Sequence, residues 1–479
     1  MSLIEVKDDV GPGRTPLWLA SGAIVFLGGV GPNVWLTLLS ATALAIGGLL
    51  LWRPREPPIL LFIFLYQWAQ ASMMTFQAAW RDEPVNDLSK YHGDVALATM
   101  LSLLALIALG FGMRVGAGAC RARAANVAKA IASSRPVFWW FALYLGALVA
   151  AGFLQSAAHA YETISQPALA LAGLRWAAFF MLAFATLTQR GAGAAYFLAA
   201  FAIEFGLGVG GYFSDFKTVL FMTAFAVVAS GARVSAKALC ALSVLAASVV
   251  ALGLTWTAVK NDYRAYLRGG RSGQTAVVGY ADAVFKLFEL VGALDGRALK
   301  TAEENLLRRI GYVEFFSVVL DKVPAMTPYE NGAIWLDAIE RPFAPRLLFP
   351  DKSAINDSDR TNKYTRLGVA GAADGTSISI GYVAESYIDF GPVLMFAPIL
   401  LLGLTLGRIY RWFVDGPRCV GPLGMGLATA ALIGQAPLES SITKAFGGLM
   451  VTSLAGWAVL CFVAPRLFPW ALAMRSEAA

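Results

Sequence analysis

Histidine, cysteine and charge are all scarce in this chain. Of its 479 residues two are histidine, four are cysteine, and 14% are Asp, Glu, Lys or Arg. A soluble globular protein carries about 25% charged residues, so the deficit argues against an ordinary water-soluble fold. The histidines, His92 and His159, and the cysteines, Cys120, Cys240, Cys419 and Cys461, are scattered along the chain. A metal site needs several such ligands close together, so no metal is expected. No cysteine falls between residues 260 and 390, which excludes a disulfide framework or a thiol nucleophile there. No internal repeat is visible, which disfavours an inverted-repeat transporter. The run GLGVGG at 206–211 follows no strand, so it reads as a flexible helix end and not as a nucleotide loop.

Apolar residues are abundant. They make up 58% of the chain, and the mean hydropathy is +0.62. Runs of about 17–25 apolar residues recur, the length needed to cross a bilayer as a helix. The expectation is an all-α polytopic membrane protein of about twelve transmembrane helices. The predicted spans are 16–31, 34–52, 58–79, 94–113, 136–155, 168–187, 192–211, 218–232, 238–259, 391–410, 420–438 and 447–465. The chain thus divides into residues 1–259 with nine spans, a long polar segment at 260–390, and 391–479 with three spans and a tail. Met1–Arg14 is polar and mixed in charge, with no small-residue cleavage site after it, so no removable signal is expected. The first two spans are joined by Gly31, Pro32 and Asn33, and a re-entrant hairpin is the alternative for them.

Basic residues alternate between loops. One set holds Arg53, Arg55, Arg114, Arg121, Arg123, Lys129, Arg135, Arg190, Arg233, Lys237, Arg408, Arg411 and Arg418; the other short loops hold little beyond Arg81, Lys90, Lys217 and Lys444. By the positive-inside rule both termini are cytoplasmic and the segment 260–390 lies outside. The basic stretch 114–135 reads as an orientation signal or a contact to anionic lipid, with no nucleic acid involved. Within 260–390, 16 Lys/Arg face 17 Asp/Glu and no apolar run reaches span length. Residues 277–294 and 305–322 have apolar residues at helical spacing broken by charges, which predicts amphipathic helices at the membrane surface. From 341 to 376 the prolines and the run of Asn, Asp, Ser and Gly predict loop.

Three stretches carry a resemblance. They are GGYFSDFKTVLF at 210–221, TAVKNDYRAYLR at 257–268 with RPFAPRLLFPDK at 341–352, and SISIGYVAESYIDFGPV at 377–393. In this layout they resemble the O-antigen and exopolysaccharide repeat-unit polymerases, relatives of the O-antigen ligases. The likeness covers roughly residues 210–410 and the pattern of spans. One departure is that those ligases use a histidine in the long loop, whereas no histidine occurs here after His159. That favours polymerase over ligase. The resemblance implies a bacterial inner-membrane enzyme of the GT-C class with its site on the periplasmic side. It would transfer a sugar chain, with inversion and no cofactor, from a polyprenyl-diphosphate carrier to a hydroxyl of a second carrier-linked glycan. The implied partners are the lipid-linked donor and acceptor, the bilayer, a chain-length regulator and export machinery.

Such chemistry sets two demands. Without a metal, the departing diphosphate needs fixed cations, and the planar fork of arginine suits phosphate oxygens. The acceptor hydroxyl needs a base. For the cations the candidates are Arg264 with neighbouring Tyr263, Arg346 between prolines, Lys352, Lys217 and Arg175. Each has a plainer reading as an interfacial anchor. Arg175 lies inside the sixth span, where Glu204 of the seventh is its natural partner. For the base, Glu385 and Asp389 stand four apart and share one helix face; Glu385 leads, with Asp389, Asp215, His92 and His159 behind it. The rival functions are an O-antigen-type ligase or another lipid-linked glycosyltransferase, and a non-enzymatic flippase or transporter. A long outside segment is expected for the polymerase and awkward for a transporter.

Overall fold

Apolar sequence in a membrane must satisfy its backbone internally, as a helix does, and the described apolar segments are helical. The computed structural model describes residues 15–28, 31–119, 122–161, 164–209, 216–232, 236–269, 278–344, 349, 355–371, 377–416 and 421–472. Among them there is no strand. The helices are α1 (Thr15–Gly28), α2 (Val34–Leu51), α3 (Ile59–Arg81), α4 (Val95–Ala117), α5 (Ala122–Ser133), α6 (Val137–Ala160), α7 (Ser165–Gly173), α8 (Arg175–Thr188), α9 (Ala194–Val209) and α10 (Phe216–Ser230). There follow α11 (Ala236–Arg268), α12 (Tyr280–Gly292), α13 (Gly296–Ile310), α14 (Val313–Lys322), α15 (Ala333–Glu340), α16 (Asp357–Thr365), α17 (Tyr382–Leu394), α18 (Phe396–Asp415), α19 (Gly421–Leu432), α20 (Ile442–Ala458) and α21 (Ala464–Leu467).

Seven of these elements are long and apolar enough to cross a membrane: α2, α3, α4, α6, the α7–α8 pair, α18, and α20 continued to Leu467. The chain is therefore a polytopic helical membrane protein. Helices occupy the other five expected positions, but four of them are short. α1, α9, α10 and α19 have 14, 16, 15 and 12 residues, or about 18–24 Å at 1.5 Å per residue, against roughly 30 Å of hydrocarbon. The span expected at 420–438 breaks at Ile433, where a 3-10 turn and then Pro437 end the helix.

The tightest pairing joins α4 to α18. A β-carbon on Gly112 would lie 2.2 Å from the Leu400 carbonyl oxygen, and one on Gly116 2.3 Å from that of Leu404. Reciprocally, Gly403 would meet Leu109 at 2.2 Å and Gly407 would meet Met113 at 2.3 Å. Each helix presents two glycines four residues apart, the arrangement that lets membrane helices touch backbone to backbone. The register also shows that the two run parallel. At one end of the pair Arg53 donates to the carbonyls of Gly118 and Ala119 and pairs with Glu56, which accepts from Tyr410. At the other end the turn before α4 meets α14, where Lys90 N–H donates to Glu314 and Gly93 lies against Ser317. The long segment and the Arg53 cluster thus sit at opposite ends of the bundle.

Within the long segment α12 matches the helix expected at 277–294. The one expected at 305–322 is divided at Gly311, which abuts Met74 of α3, into the end of α13 and all of α14. The expected loop 341–376 contains a helix, α16. Asn356 caps it by accepting from Ser358 N–H, with Asp357 and Asp359 in its first turn, where acidic groups complement the helix dipole.

Candidate functional site

The stretch that returns the long segment to the bundle is fastened at almost every turn. Gly381, with φ +83°, turns the chain against the Leu438 carbonyl. Tyr382 then donates from its N–H to Ser440 and from its hydroxyl to Gln67 of α3. Tyr387 donates to the Val323 carbonyl, and Ser386 accepts from the Trp335 indole. At Gly391, with φ +70°, the helix bends before Pro392 and continues as α18. No residue with a β-carbon adopts that conformation without strain.

Glu385 sits at the centre of this hub and is wholly buried. One carboxylate oxygen accepts from Arg360 of α16 at 2.7 Å; the other accepts from the Ile442 N–H of α20 at 2.6 Å. Arg360 also reaches Thr443 at 3.3 Å and Asp337 of α15 at 3.6 Å. Asp337 lies 3.6 Å from Arg341. One turn along α20, Lys444 pairs with Asp357 at 2.6 Å and donates to Ser377 at 2.9 Å. On the flank Glu330 holds Lys363 and the Tyr364 hydroxyl, each at 2.6 Å. Three cations and three carboxylates therefore surround the N-terminus of α20, itself a partial positive charge.

Burial pushes the Glu385 carboxyl up to about 7 from an ordinary 4.5, against the downward pull of Arg360 and the Ile442 N–H. A carboxyl harder to ionise folded than unfolded contributes its full stability below pH 4.5. That contribution is lost as pH rises through about 7.

What presents the α20 N-terminus to Glu385 is a glutamine ladder. Gln67 donates to the Gln435 carbonyl at 3.0 Å, Gln70 accepts from Leu438 N–H at 2.7 Å, and Gln70 donates to Glu439 at 2.5 Å. Gln435 donates in turn to Ala445 at 3.1 Å. Non-helical backbone near membrane depth survives only where protein groups satisfy it; α3 supplies those groups.

The expected site residues divide. Glu385 is at the centre. Asp389 instead accepts from Ile334 N–H at 3.2 Å and Trp335 N–H at 2.9 Å, so both its oxygens anchor the start of α15. Asp389→Ala is expected to lower unfolding free energy by about 2 kcal/mol, the loss of a cap with two buried donors, read as a lower melting temperature in detergent. His92 is exposed in the turn before α4, beside α14. Arg175 pairs with Glu204 at 3.3 Å across α8 and α9, and Tyr144 donates to Glu204 at 3.2 Å. Tyr263 is buried against Trp256, Leu267 and Ala283 and packs α11 on α12. Arg264, half-buried, follows it one turn from the end of α11, and Lys217 is exposed in the first turn of α10. Asp215, Arg346, Lys352 and the side chain of His159 lie outside the described residues. Among the described residues no cluster of His, Cys, Asp and Glu is arranged to hold a metal.

Arg360, Asp357, Lys444, Gln67 and Gln70 were not among the residues expected from sequence. Two signals pointed to them. Asn356-Asp357-Ser358-Asp359 is a helix-start pattern with a capping side chain and an acidic first turn. Two glutamines three apart inside an apolar span mark polar work within the membrane. No protein-family model, curated protein or solved structure matches the chain.

Proposed function

We propose that the chain is a membrane glycosyltransferase that polymerises polyprenyl-diphosphate-linked repeat units into a surface polysaccharide at the periplasmic face of the inner membrane. The observation that carries this reading is Arg360. It stands between Glu385 and Asp337 at a helix N-terminus, with 23% of its side chain open, in a chain that is otherwise poor in charge. An arginine held in place by two carboxylates beside a helix N-terminus, and still partly open, is the kind of fixed cation a diphosphate leaving group requires when no metal neutralises it. Held by fixed protein groups in a partly dry mouth, it stabilises developing charge more than water would. Arg341 and Lys444 extend the positive rim. Arg264, Arg346 and Lys352 are the further cations this reading assigns to the lipid-linked substrates.

The test is direct. Purified protein is incubated with the lipid-linked repeat units that accumulate in cells lacking this chain, in the presence of chelator. The expected product is a ladder of multiples of the repeat unit. If single units persist and the protein only moves them between leaflets of a vesicle, the flippase reading replaces this one. Transfer of a preformed chain to a lipid A core, without any ladder, indicates a ligase.

A further inference from the structure

The carboxylates around the α20 N-terminus differ in what their oxygens do. Both oxygens of Glu385 accept hydrogen bonds, as do both of Asp389. Asp357 is divided. Its Oδ2 takes Lys444 at 2.6 Å and Ser377 at 3.4 Å, while Oδ1 is buried and meets no donor. The whole residue is 3% exposed. Among the described residues no other carboxylate has a buried oxygen without a partner. Leaving such an oxygen unsatisfied is unfavourable, and a native structure that does so needs a reason for it. Lys444 and Ser377 fix the group from one side, so the free oxygen has a defined direction.

Resting on the glycosyl-transfer reading above, we propose that Asp357 Oδ1 is the base that accepts the proton of the acceptor sugar hydroxyl. As that hydroxyl oxygen bonds to the anomeric carbon of the donor, its proton passes to Oδ1. The bond from the anomeric carbon to the diphosphate oxygen breaks, and the diphosphate leaves with the electron pair toward Arg360. The proton returns from Asp357 to solvent before the next cycle. Glu385, saturated by Arg360 and Ile442, is then a positioning residue that holds Arg360.

The experiment compares Asp357→Asn and Lys444→Met with the parent chain, using the accumulated lipid-linked repeat units as substrate. Asp357→Asn is expected to lower turnover at least 100-fold, in the range that general-base catalysis contributes, with binding of the labelled lipid-linked unit within threefold of the parent. Turnover within threefold of the parent overturns the assignment. Should Asp357→Asn melt far below the parent, Lys444→Met decides. Lys444→Met keeps the Asp357 carboxylate but removes the ammonium that fixes its Oδ2, so turnover is expected to fall about tenfold or more, with binding of the labelled unit within threefold of the parent. Turnover within threefold of the parent rejects the role. The two readings fail separately: a parent chain that polymerises alongside an active Asp357→Asn removes only this inference, and a parent chain that makes no polymer removes both.

Discussion

Gly403→Leu is expected to abolish recovery of folded protein. A β-carbon at Gly403 alone would stand 2.2 Å from the Leu109 carbonyl oxygen, about 1 Å inside contact distance. That obstacle is backbone, which no rotamer change can move aside. Three more glycines at the same crossing are equally tight, so α4 and α18 must separate along their length to admit one side chain. Membrane helices gain little from apolar burial against lipid; close packing is what holds them, and separation forfeits it. The expected cost is on the order of 3 kcal/mol or more. The measurement is the monodisperse fraction by fluorescence-detected size exclusion, with melting temperature. Gly403→Ala should fail partly and Gly112→Leu fully. Gly152→Leu, with nothing within 4 Å of a β-carbon there, should leave the protein unchanged. A normal elution profile for Gly403→Leu would refute the close crossing.

Arg360→Met is expected to remove activity and to destabilise the protein in a pH-dependent way. Without Arg360, the fully buried Glu385 carboxylate keeps only the Ile442 N–H. Breaking a buried pair from one side costs about 3–5 kcal/mol. Glu385 titrates near 7, so at pH 5.5 it is already protonated and little electrostatic stabilisation is at stake. At pH 8.5 the parent carboxylate is ionised against Arg360, while in the variant it stays protonated. One and a half pH units, at about 1.36 kcal/mol each, make the loss roughly 2 kcal/mol larger at pH 8.5 than at pH 5.5. Arg360→Met with Glu385→Gln should regain stability at pH 8.5; on the proposed function it regains no polymer, since a diphosphate leaving group would still lack its cation. If the double variant polymerises, Arg360 has only a structural role. If the single variant loses equal stability at both pH values, the Glu385 pairing is wrong.

Much of the helical arrangement was legible in the sequence because hydropathy reports burial in lipid directly. Every expected span position carries a helix, and the alternation of basic loops agrees with the Arg53 cluster and the long segment lying at opposite ends. What hydropathy could not give was where a helix stops short. The span expected at 420–438 runs past the observed end of α19, but Gly434, Gln435 and Pro437 break it, and α3 satisfies the broken backbone with two glutamines from far away in the sequence. The glycine crossing was not anticipated: Gly112 and Gly116, like Gly403 and Gly407, stand four apart in the sequence, but which helices pair is a property of three dimensions. The site was legible in part. Glu385 could be singled out from its position before a span. Arg360 could not, because it lies in a polar run where every third residue is charged, and only its folded neighbours distinguish it. Asp389 was singled out by its place four residues from Glu385; its partners in the fold are the first amides of α15, a contact that sequence spacing does not show.

The glutamine ladder also sets an order of events during synthesis. Gln67 and Gln70 are separated by 368 residues from the backbone groups of Gln435 and Leu438 that they engage. At roughly 5–20 residues per second, α3 waits about 20–70 s in the membrane before those partners are made. Through that interval two amides in an apolar helix must be sheltered by the insertion machinery, by water or by each other. The last helical hairpin is thus the piece that closes the bundle. A chain truncated before residue 433 should leave α3 open to quality-control proteases while its earlier helices are already in place.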